Sequence, residues 1–476
     1  MQLRWGPRRR SPRLQALGGG PDLISTLPDD LLLLVLARLE CAAAAARTGV
    51  LSRRWRGLWA HLSRIVLRDL PFYSLEPALA RLPPPPPAIS LLEICLPEPS
   101  GPISEEQLAD SAEVNSLLRA AAQIDPEEFF LVFPSGLVDG CLVLHLPCFH
   151  RATSIVLKLD LSNFGDYSTI LAGVEFPALQ SLSLSCCTAD FGALLSCCPR
   201  LRTLRLADVC FYKGAFRVNS PFLQELVVVA GAWIDQATIV APVLKQLTMS
   251  LRTYQELNIS ILAPTVENVS WDCRFSGHSI AFGLWRLAQL SLQAAAEMPP
   301  SLHIHACISW PIFQGEVENI THEIDKHMIA DFSVLELHLD TWGHVFGALA
   351  VLLLGMNRIR TSMRRLKVLL QRSMPEDVCP PDCPCEPTDW RSQTISLTAL
   401  EEVEISGFEG DGHEIDFLKL IFKRSPMLRR ITVKLSHEVS LRNFGRRKIY
   451  DIFRACSPIE FYVSFTSDEY MFCRLD

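Results

Sequence analysis

Residues 199–206 read PRLRTLRL, and their pattern of apolar, two variable, apolar, one variable and apolar residues recurs along the middle of the 476-residue chain. The apolar triplets are Leu179/Leu182/Leu184, Leu201/Leu204/Leu206, Leu223/Leu226/Val228, Leu244/Leu247/Met249, Val266/Val269/Trp271 and Leu287/Leu290/Leu292. Their first residues are 22, 22, 21, 22 and 21 positions apart, from the starts 179, 201, 223, 244, 266 and 287. A fixed period of this length predicts stacked structural repeats.

Each repeat is predicted to contain one short strand. A proline lies two residues before five of the six triplets, at Pro177, Pro199, Pro221, Pro242 and Pro264. Proline ends the preceding connection and favours entry into extended backbone. The last two apolar residues of a unit, such as Leu204 and Leu206, then share one face of the strand, and stacking joins these faces into a core. Less regular units are Ile155/Leu157/Leu159, Leu335/Leu337/Leu339, Leu366/Val368, Leu400/Val403/Ile405 and Leu428/Ile431/Val433.

A second unusual segment lies near the N-terminus, where residues 27–59 read LPDDLLLLVLARLECAAAAARTGVLSRRWRGLW. The sequence predicts three short helices, beginning at Asp29, within 41–46 and within 50–59. The first is apolar on nearly every side, which indicates burial on more than one side. Because about 40 residues rarely bury that much apolar surface alone, we expect a partner protein to cover part of it. The alternative is the core of an ordinary helical subdomain.

These residues resemble the F-box of plant F-box proteins, from about residue 22 to residue 69. The resemblance rests on 27–30 (LPDD), 35–39 (VLARL) and 45–56 (AARTGVLSRRWR). Gly49, where serine is usual, departs from the pattern, and five consecutive alanines give the middle helix unusually small side chains. The resemblance implies docking on the Skp-type adaptor of an SCF ubiquitin ligase, and through it on a cullin scaffold. The residues predicted to bind the adaptor are Leu27, Pro28, Leu31, Leu32, Leu36, Val50, Leu51, Trp55 and Trp59.

Two further parts of the chain resemble regions that follow the F-box in many plant F-box proteins. The repeats resemble degenerate leucine-rich repeats, and residues 400–433 resemble the FBD region. The predicted fold is an α/β repeat: a small three-helix F-box, a leucine-rich-repeat solenoid and an FBD-like C-terminal region. The predicted units are a basic disordered tail (1–21), the F-box (22–69), a proline-containing linker and start of the solenoid (70–100), the leucine-rich-repeat region (101–373), a Pro/Cys-rich loop (374–390) and the FBD-like region (391–476).

Composition narrows the classes of function. A net charge of −7 and a pI near 6.0 argue against nucleic-acid binding by the body of the protein. The longest apolar stretch, 346–354, is too short to span a bilayer, and no secretory signal is evident. We therefore expect an intracellular protein, in the nucleus or cytoplasm or both, that binds neither nucleic acid nor membrane. Its 16 cysteines are then expected to be reduced thiols.

Several clusters resemble chemical sites without meeting their requirements. Cys379, Cys383 and Cys385 lie in a loop that could wrap zinc, but the neighbouring sequence holds no fourth ligand, which favours a plain loop. A second group, Cys141, His145, Cys148 and His150, alternates with leucines as in a half-buried strand. The histidines of 322–327 (HEIDKH) are one position too far apart for a helical zinc-protease motif. No catalytic, cofactor-binding or metal-binding residue is predicted.

The predicted function is that of a non-catalytic, substrate-recognition subunit of an SCF-type ubiquitin ligase. The F-box would bind the adaptor, the repeats would bind a target protein, and the target would be ubiquitinated by proximity. One alternative is a leucine-rich-repeat interaction scaffold that is not assembled into a ligase. Another is a repeat surface that also holds a small molecule, for which the sequence offers no clear basic pocket.

Overall fold

The structure, a computed structural model, describes most of the chain. The described residues are 24, 26–39, 41–82, 88–98, 108–134, 136–138, 141–159, 167–277, 279–308, 319–372, 379, 383, 385, 389–436, 459–465 and 470–471. The predicted basic tail, the five-proline run at 83–87 and most of the loop at 374–390 lie outside the described residues.

The described elements are helices, strands and short 3-10 turns. The helices are α1 (Asp29–Leu36), α2 (Ala42–Arg47), α3 (Leu75–Leu79), α4 (Ser111–Ile124), α5 (Phe191–Ser196), α6 (Asn319–His327), α7 (Gly347–Gly355), α8 (Asn357–Ser362) and α9 (Gly412–Arg424). The strands are β1 (Arg64–Arg68), β2 (Leu91–Cys95), β3 (Glu128–Phe133), β4 (Val143–Leu146), β5 (Ser154–Leu159), β6 (Ser168–Ala172), β7 (Ser181–Ser185), β8 (Cys187–Ala189), β9 (Thr203–Phe211), β10 (Ala215–Asn219), β11 (Glu225–Ala230), β12 (Gln236–Val240), β13 (Gln246–Thr253), β14 (Asn258–Leu262), β15 (Asn268–Phe275), β16 (Ala281–Phe282), β17 (Trp285–Ala295), β18 (Met298–Ile308), β19 (Val334–Asp340), β20 (Arg365–Gln371), β21 (Glu402–Phe408), β22 (Arg430–Leu435), β23 (Glu460–Phe465) and β24 (Tyr470–Met471).

The repeated leucines form one long parallel ladder. Strands β1, β2, β3, β5, β7, β9, β11, β13 and β15 pair in that order, all parallel. Leu204 of β9 is in register with Leu182 of β7 and with Leu226 of β11, and Leu226 is in register with Leu247 of β13. Equivalent residues of successive units therefore form a column of buried apolar side chains.

The predicted unit at Leu287 is wrong as a parallel repeat. Strand β17, which contains it, runs antiparallel to β15 and forms a hairpin with β18. The connection 276–284 is shorter than the dozen or so residues of a parallel crossover. It folds back through β16, which pairs with β17, and Gly283 lies at φ 60° in the intervening turn. Parallel pairing resumes from β18 through β19, β20, β21 and β22 to β23.

A second layer of strands covers the core of the ladder. Strands β4, β6 and β8 pair in parallel and join the end of β9, while β10, β12 and β14 form a separate parallel sheet. Leu144, Phe216 and Ile239 from this layer are buried in the same apolar cluster as Leu204 and Leu226. The core therefore lies between two layers of strands over this part of the chain.

Helices replace the second layer toward the C-terminus. Between β19 and β20 lie α7 and α8, and between β21 and β22 lies α9. The rings of Phe346, before α7, and Phe417 of α9 have centroids 5.3 Å apart, and Trp390 is fully buried against Gly347 at the start of α7. The apolar stretch 346–354 is thus a core helix. Among the described residues, helices of the length and apolarity needed to cross a membrane are absent.

The N-terminal unit differs from the predicted three helices. Helices α1 and α2 are present, but the third predicted helix, over 50–59, is replaced by 3-10 turns at Thr48–Val50, Arg53–Trp55 and Leu58–His61. The backbone leaves helical geometry at Ser52, which is extended, at Arg56, with ψ 122°, and at Gly57, with φ 80°. These three breaks prevent a continuous helix.

Candidate functional site

The N-terminal unit has a small apolar core of its own. Leu32 and Leu36 lie one turn apart on the inner face of α1 and pack with Trp55. Ala45 and Leu62 complete this buried cluster, which meets the core of the strand layers at the half-buried Trp59. The unit therefore has an apolar core of its own, but this core contains far fewer buried residues than the core of the strand layers.

The opposite face of α1 is also apolar, and it is open to solvent. We call Leu31, Leu34, Val35, Val50 and Leu51 the outer apolar residues. Their exposed fractions are 42%, 62%, 48%, 86% and 69%. Leu31, Leu34 and Val35 follow the i, i+3 and i+4 spacing of one helical face. Exposed apolar residues grouped on one helical face make this surface a candidate for an interaction site.

The 3-10 turn that follows Val50 and Leu51 is connected to the beginning of α1. Arg54 lies in this turn, and its guanidinium is 2.7 Å from the Asp29 carboxylate. Arg54 also donates to the backbone oxygen of Leu27. The segment that directly follows the exposed Val50 and Leu51 is therefore held to the start of α1 by the Arg54 side chain.

The nine predicted adaptor-binding residues divide into three groups. Pro28, Leu31, Val50 and Leu51 are exposed, and Leu27 and Trp59 are half-buried. The buried residues are Leu32, Leu36 and Trp55. Buried side chains can support a binding surface without touching a partner. The prediction omitted Leu34 and Val35, although their spacing from Leu31 would have identified the outer face of α1.

The open face of the sheet is the second candidate surface. We use this name for the strand side chains that alternate with core residues, such as Arg205 between Leu204 and Leu206. It carries cross-strand ion pairs, including Arg205 with Glu225 at 2.8 Å and Lys367 with Glu336 at 2.6 Å. Such a charged, extended face is suited to protein recognition.

An exposed aromatic pair lies at the edge of the ladder where strands end. Trp233 follows β11 and Tyr254 follows β13, and their ring centroids are 3.7 Å apart. Tyr254 is 54% exposed, and Trp233 is 38% exposed. Tryptophan and tyrosine are enriched among the residues that dominate binding energy at protein interfaces.

The histidines of 322–327 belong to a buried structural network. His327 and Glu323 of α6 are both fully buried, and the His327 Nε2 atom lies 3.0 Å from a Glu323 carboxylate oxygen. The Trp271 indole N–H donates to His327 Nδ1 at 2.9 Å, and the backbone N–H of Leu257 donates to Glu323 at 3.0 Å. These contacts attach α6 to the strand layers and leave no face for a substrate.

The same network explains two pKa shifts. Burial lowers the pKa of His327 below its ordinary value of 6.5, despite the neighbouring carboxylate. Burial opposes ionisation of Glu323, but hydrogen bonds from His327, Leu257 and Lys326 outweigh it and hold the Glu323 pKa below its ordinary 4.5. His327 is therefore a neutral imidazole that accepts from Trp271 and donates to Glu323.

The group of Cys141, His145, Cys148 and His150 does not converge on one point. Cys148 contacts His150 and donates to the backbone oxygen of Glu175, while His145 lies on β4. In the described part of the chain, three groups of potential metal ligands do converge, and none of them includes these four residues. One of the three contains Cys379, Cys383 and Cys385.

Comparisons with known proteins match two parts of the chain. A family model described as "FBD-associated F-box protein At5g56370, LRR repeats" matches residues 114–270, which run from α4 into β15. A model of the FBD region matches residues 397–433, which include β21 and α9. An "F-box/LRR-repeat protein At5g35995" of Arabidopsis thaliana is 29% identical over 212 residues, 40% of this chain and 41% of that protein. The chain thus matches about two fifths of the length of this curated relative.

Proposed function

This chain is a relative of plant F-box/leucine-rich-repeat proteins with a C-terminal FBD region, and on that premise we propose that it is the substrate-recognition subunit of an SCF-type ubiquitin ligase. Residues 22–69 would be the F-box, and 101–373 would be a leucine-rich-repeat solenoid that continues into the FBD-like region at 391–476. The protein would act without catalytic residues of its own, in the nucleus, the cytoplasm or both.

The observation that carries this proposal is the two-sided apolar character of α1. Its inner face forms a local core, while Leu31, Leu34 and Val35 on the outer face are exposed together with Val50 and Leu51. Leaving five large apolar side chains in water is unfavourable by roughly 25 cal/mol per Å² of apolar surface relative to burial. Covering them with an apolar groove of a Skp-type adaptor recovers that free energy.

Among the nine predicted residues, the proposal distinguishes contact from support. Pro28, Leu31, Val50 and Leu51 would touch the adaptor, and we add Leu34 and Val35 to them. Leu32, Leu36 and Trp55 would hold α1 and the turns in place, while Leu27 and Trp59 border both regions. The adaptor would in turn link the chain to a cullin scaffold.

The repeat layers would bind the target protein. Their open face offers charged side chains on a rigid framework, and Trp233 with Tyr254 offers an aromatic anchor at its edge. A target held there would be near the ubiquitin-carrying enzyme, so that the rate of transfer rises through proximity alone.

The test is co-purification of the full chain with a Skp-type adaptor by size-exclusion chromatography, followed by titration calorimetry. We expect a stoichiometric complex with the wild type. The Val50→Glu/Leu51→Glu double variant should bind at least about a hundredfold more weakly, about 2.8 kcal/mol, because two carboxylates would be buried without partners. The Leu27→Ala/Pro28→Ala double variant should weaken the complex as well.

A control is Leu262→Glu, which makes one such substitution at a 60% exposed leucine of β14. This variant should bind the adaptor as tightly as the wild type. If the folded wild type elutes without the adaptor, the ligase proposal is wrong, and the chain is better described as a repeat scaffold outside a ligase.

A further inference from the structure

Four side chains with metal-binding atoms converge beside the beginning of α7. His344 lies in the loop between β19 and α7, and Cys379, Cys383 and Cys385 lie in the connection between β20 and β21. One imidazole nitrogen and three sulfurs lie within 4.8 Å of one another. Cys383 Sγ is 3.2 Å from His344 Nδ1, and Cys379 Sγ is 3.4 Å from Cys385 Sγ.

These separations suit one tetrahedral ion at the centre of the cluster. Zinc binds thiolate sulfur at about 2.3 Å and imidazole nitrogen at about 2.0–2.1 Å, so that neighbouring ligand atoms in a tetrahedron are about 3.5–3.8 Å apart. The Cys383–His344 and Cys379–Cys385 distances are slightly shorter than this, and no pair of ligand atoms exceeds 4.8 Å. Small movements of the side chains, apart in the two short pairs and together in any longer pair, would therefore bring all four atoms to bonding distance of one ion.

The backbone around the cluster supports metal-bound sulfur. The backbone N–H of Val345 is hydrogen-bonded to the sulfurs of both Cys379 and Cys385. Donors of this kind stabilise bound thiolates and orient them. The loop turns sharply at Trp342 and Gly343, which have φ 45° and 77°, and His344 donates its backbone N–H to Thr341 at 2.7 Å. This turn directs His344 toward the cysteines.

The cluster is also protected from solvent. Cys385 and His344 are buried, and Cys379 and Cys383 are half-buried against the apolar core. Next to the cluster, Trp390 packs on Gly347, where an added Cβ would collide with the indole ring. The connection between β20 and β21 is thus attached to α7 both by its cysteines and by its tryptophan.

The type of ligand indicates the type of ion. Three thiolates and one imidazole favour zinc over magnesium or calcium, which prefer oxygen. Four protein ligands also fill the tetrahedral sphere and leave no position for water or substrate, which is typical of structural zinc sites. The sequence prediction of a plain loop missed this set because the fourth ligand, His344, lies 39 positions upstream of Cys383.

We propose that His344, Cys379, Cys383 and Cys385 bind one structural Zn²⁺ ion, which joins the loop before α7 to the connection between β20 and β21. The ion cross-links two successive units of the strand layers on the side where helices cover the core. It substitutes for apolar packing in a connection rich in proline and cysteine. This site is independent of adaptor binding, so that failure of the ligase proposal leaves it unaffected.

The test is the metal content of the purified full chain. The protein is produced with zinc in the medium, kept reduced with a phosphine, passed over a chelating resin and analysed by plasma mass spectrometry. We expect one zinc per chain in the wild type. The Cys383→Ser and His344→Ala variants should retain at least about tenfold less zinc, and the exposed-cysteine control Cys141→Ser should retain the wild-type amount.

A conservative variant separates loss of metal from loss of folding. His344→Cys keeps four ligands and should bind zinc stoichiometrically with an unchanged circular dichroism spectrum. After exchange of zinc for Co²⁺, the wild type should show the visible bands of a tetrahedral site. The sulfur charge-transfer absorption should rise by about one third in His344→Cys, because four thiolates replace three.

Three outcomes would overturn the proposal. The first is a reduced, folded wild type with negligible zinc. The second is the same zinc content in the wild type, Cys383→Ser and His344→Ala, which would assign the metal to another site. The third is a Cys379–Cys385 disulfide in protein prepared without reductant in the presence of zinc, detected by mass mapping of alkylated peptides, since thiols held in a disulfide cannot bind the ion.

Discussion

The N-terminal unit and the repeat layers use leucine in opposite ways. Leu226 of β11 is fully buried because equivalent leucines lie on both neighbouring strands, whereas Leu34 of α1 is 62% exposed. In the repeats, each new unit covers the apolar face of the previous one. The N-terminal unit has an apolar face on each side of α1 and enough residues to cover one. The difference shows that apolar content alone does not predict burial, because the topology decides which leucines are covered by other parts of the chain.

The largest effect on folding should come from the column of repeat leucines. Leu226→Ala should lower the free energy of unfolding by about 3–5 kcal/mol, because it leaves a cavity among rigid strands. Val229→Ala, on the open face of the same strand, is the matched control and should change it by about 0.5 kcal/mol or less. Urea unfolding measures both. Equal losses would contradict the separation of core and open face.

A smaller and local effect should follow a change in the N-terminal core. Leu32→Ala should destabilise that unit by about 2–3 kcal/mol and leave the sheet intact, because Leu32 belongs only to the smaller cluster, which meets the core of the strand layers at Trp59. Trypsin cleavage after Arg53, Arg54 and Arg56 would report the opening, with a rate increase of about thirtyfold or more. Leu34→Ala, on the outer face, should leave the cleavage rate near that of the wild type. Unfolding of the whole chain by Leu32→Ala would refute this independence.

The repeat layers also bury ionisable groups, which predicts a pH dependence. The pKa of His327 is lower in the folded chain than its ordinary 6.5, so the folded state binds this proton more weakly than the unfolded state. Stability should therefore be complete above pH 6.5 and decrease as the pH falls below it. Glu323, whose folded pKa is below 4.5, should add a second loss as the pH falls below that value.

His327→Asn isolates the first of these losses. Its amide oxygen can still accept from Trp271, but the contact with Glu323 is lost, at a cost of about 1–2 kcal/mol at neutral pH. Thermal unfolding between pH 7 and pH 5 should show a flatter pH dependence than in the wild type. An unchanged slope would mean that another group titrates in this range.

The smallest effect should come from the open face. Arg205→Ala removes an ion pair with Glu225 in which the arginine is largely exposed, and it should cost about 0.5 kcal/mol or less. In a complex with a target protein, the target would cover the charges of the open face. Arg205→Ala should therefore weaken that complex by more than it destabilises the free chain. Urea unfolding of Arg205→Ala measures its role in stability, and a pull-down of the target with the same variant measures its role in binding.

Much of this architecture was predictable from the spacing of apolar residues. The last two residues of each triplet from Leu179 to Trp271 fall on parallel strands. The resemblance to F-box/leucine-rich-repeat proteins with an FBD region is confirmed by the family matches. The exception at Leu287 carried a visible signal, since Trp285 stands where the other five triplets have proline. Strand direction depends on the length of the connection, which the triplet pattern does not encode.

Other features depend on contacts between distant residues. The strands of the second layer lack the triplet pattern, so the predicted repeats did not reveal them. The division of α1 into buried Leu32 and exposed Leu34 depends on where Trp55 packs, because both residues are leucines in one apolar run. The convergence of His344 with Cys383 is likewise a product of the tertiary fold, because α7, α8 and β20 lie between them in the sequence.

The most direct test of adaptor binding through the outer apolar residues is hydrogen exchange of the full chain, alone and with a stoichiometric Skp-type adaptor, followed by mass spectrometry. We predict slower exchange in residues 27–62 upon binding and unchanged exchange in the strands of 203–275. Protection of those strands without protection of 27–62 would contradict the proposed role of α1, because it would place the adaptor on the repeats and leave the outer apolar residues uncovered.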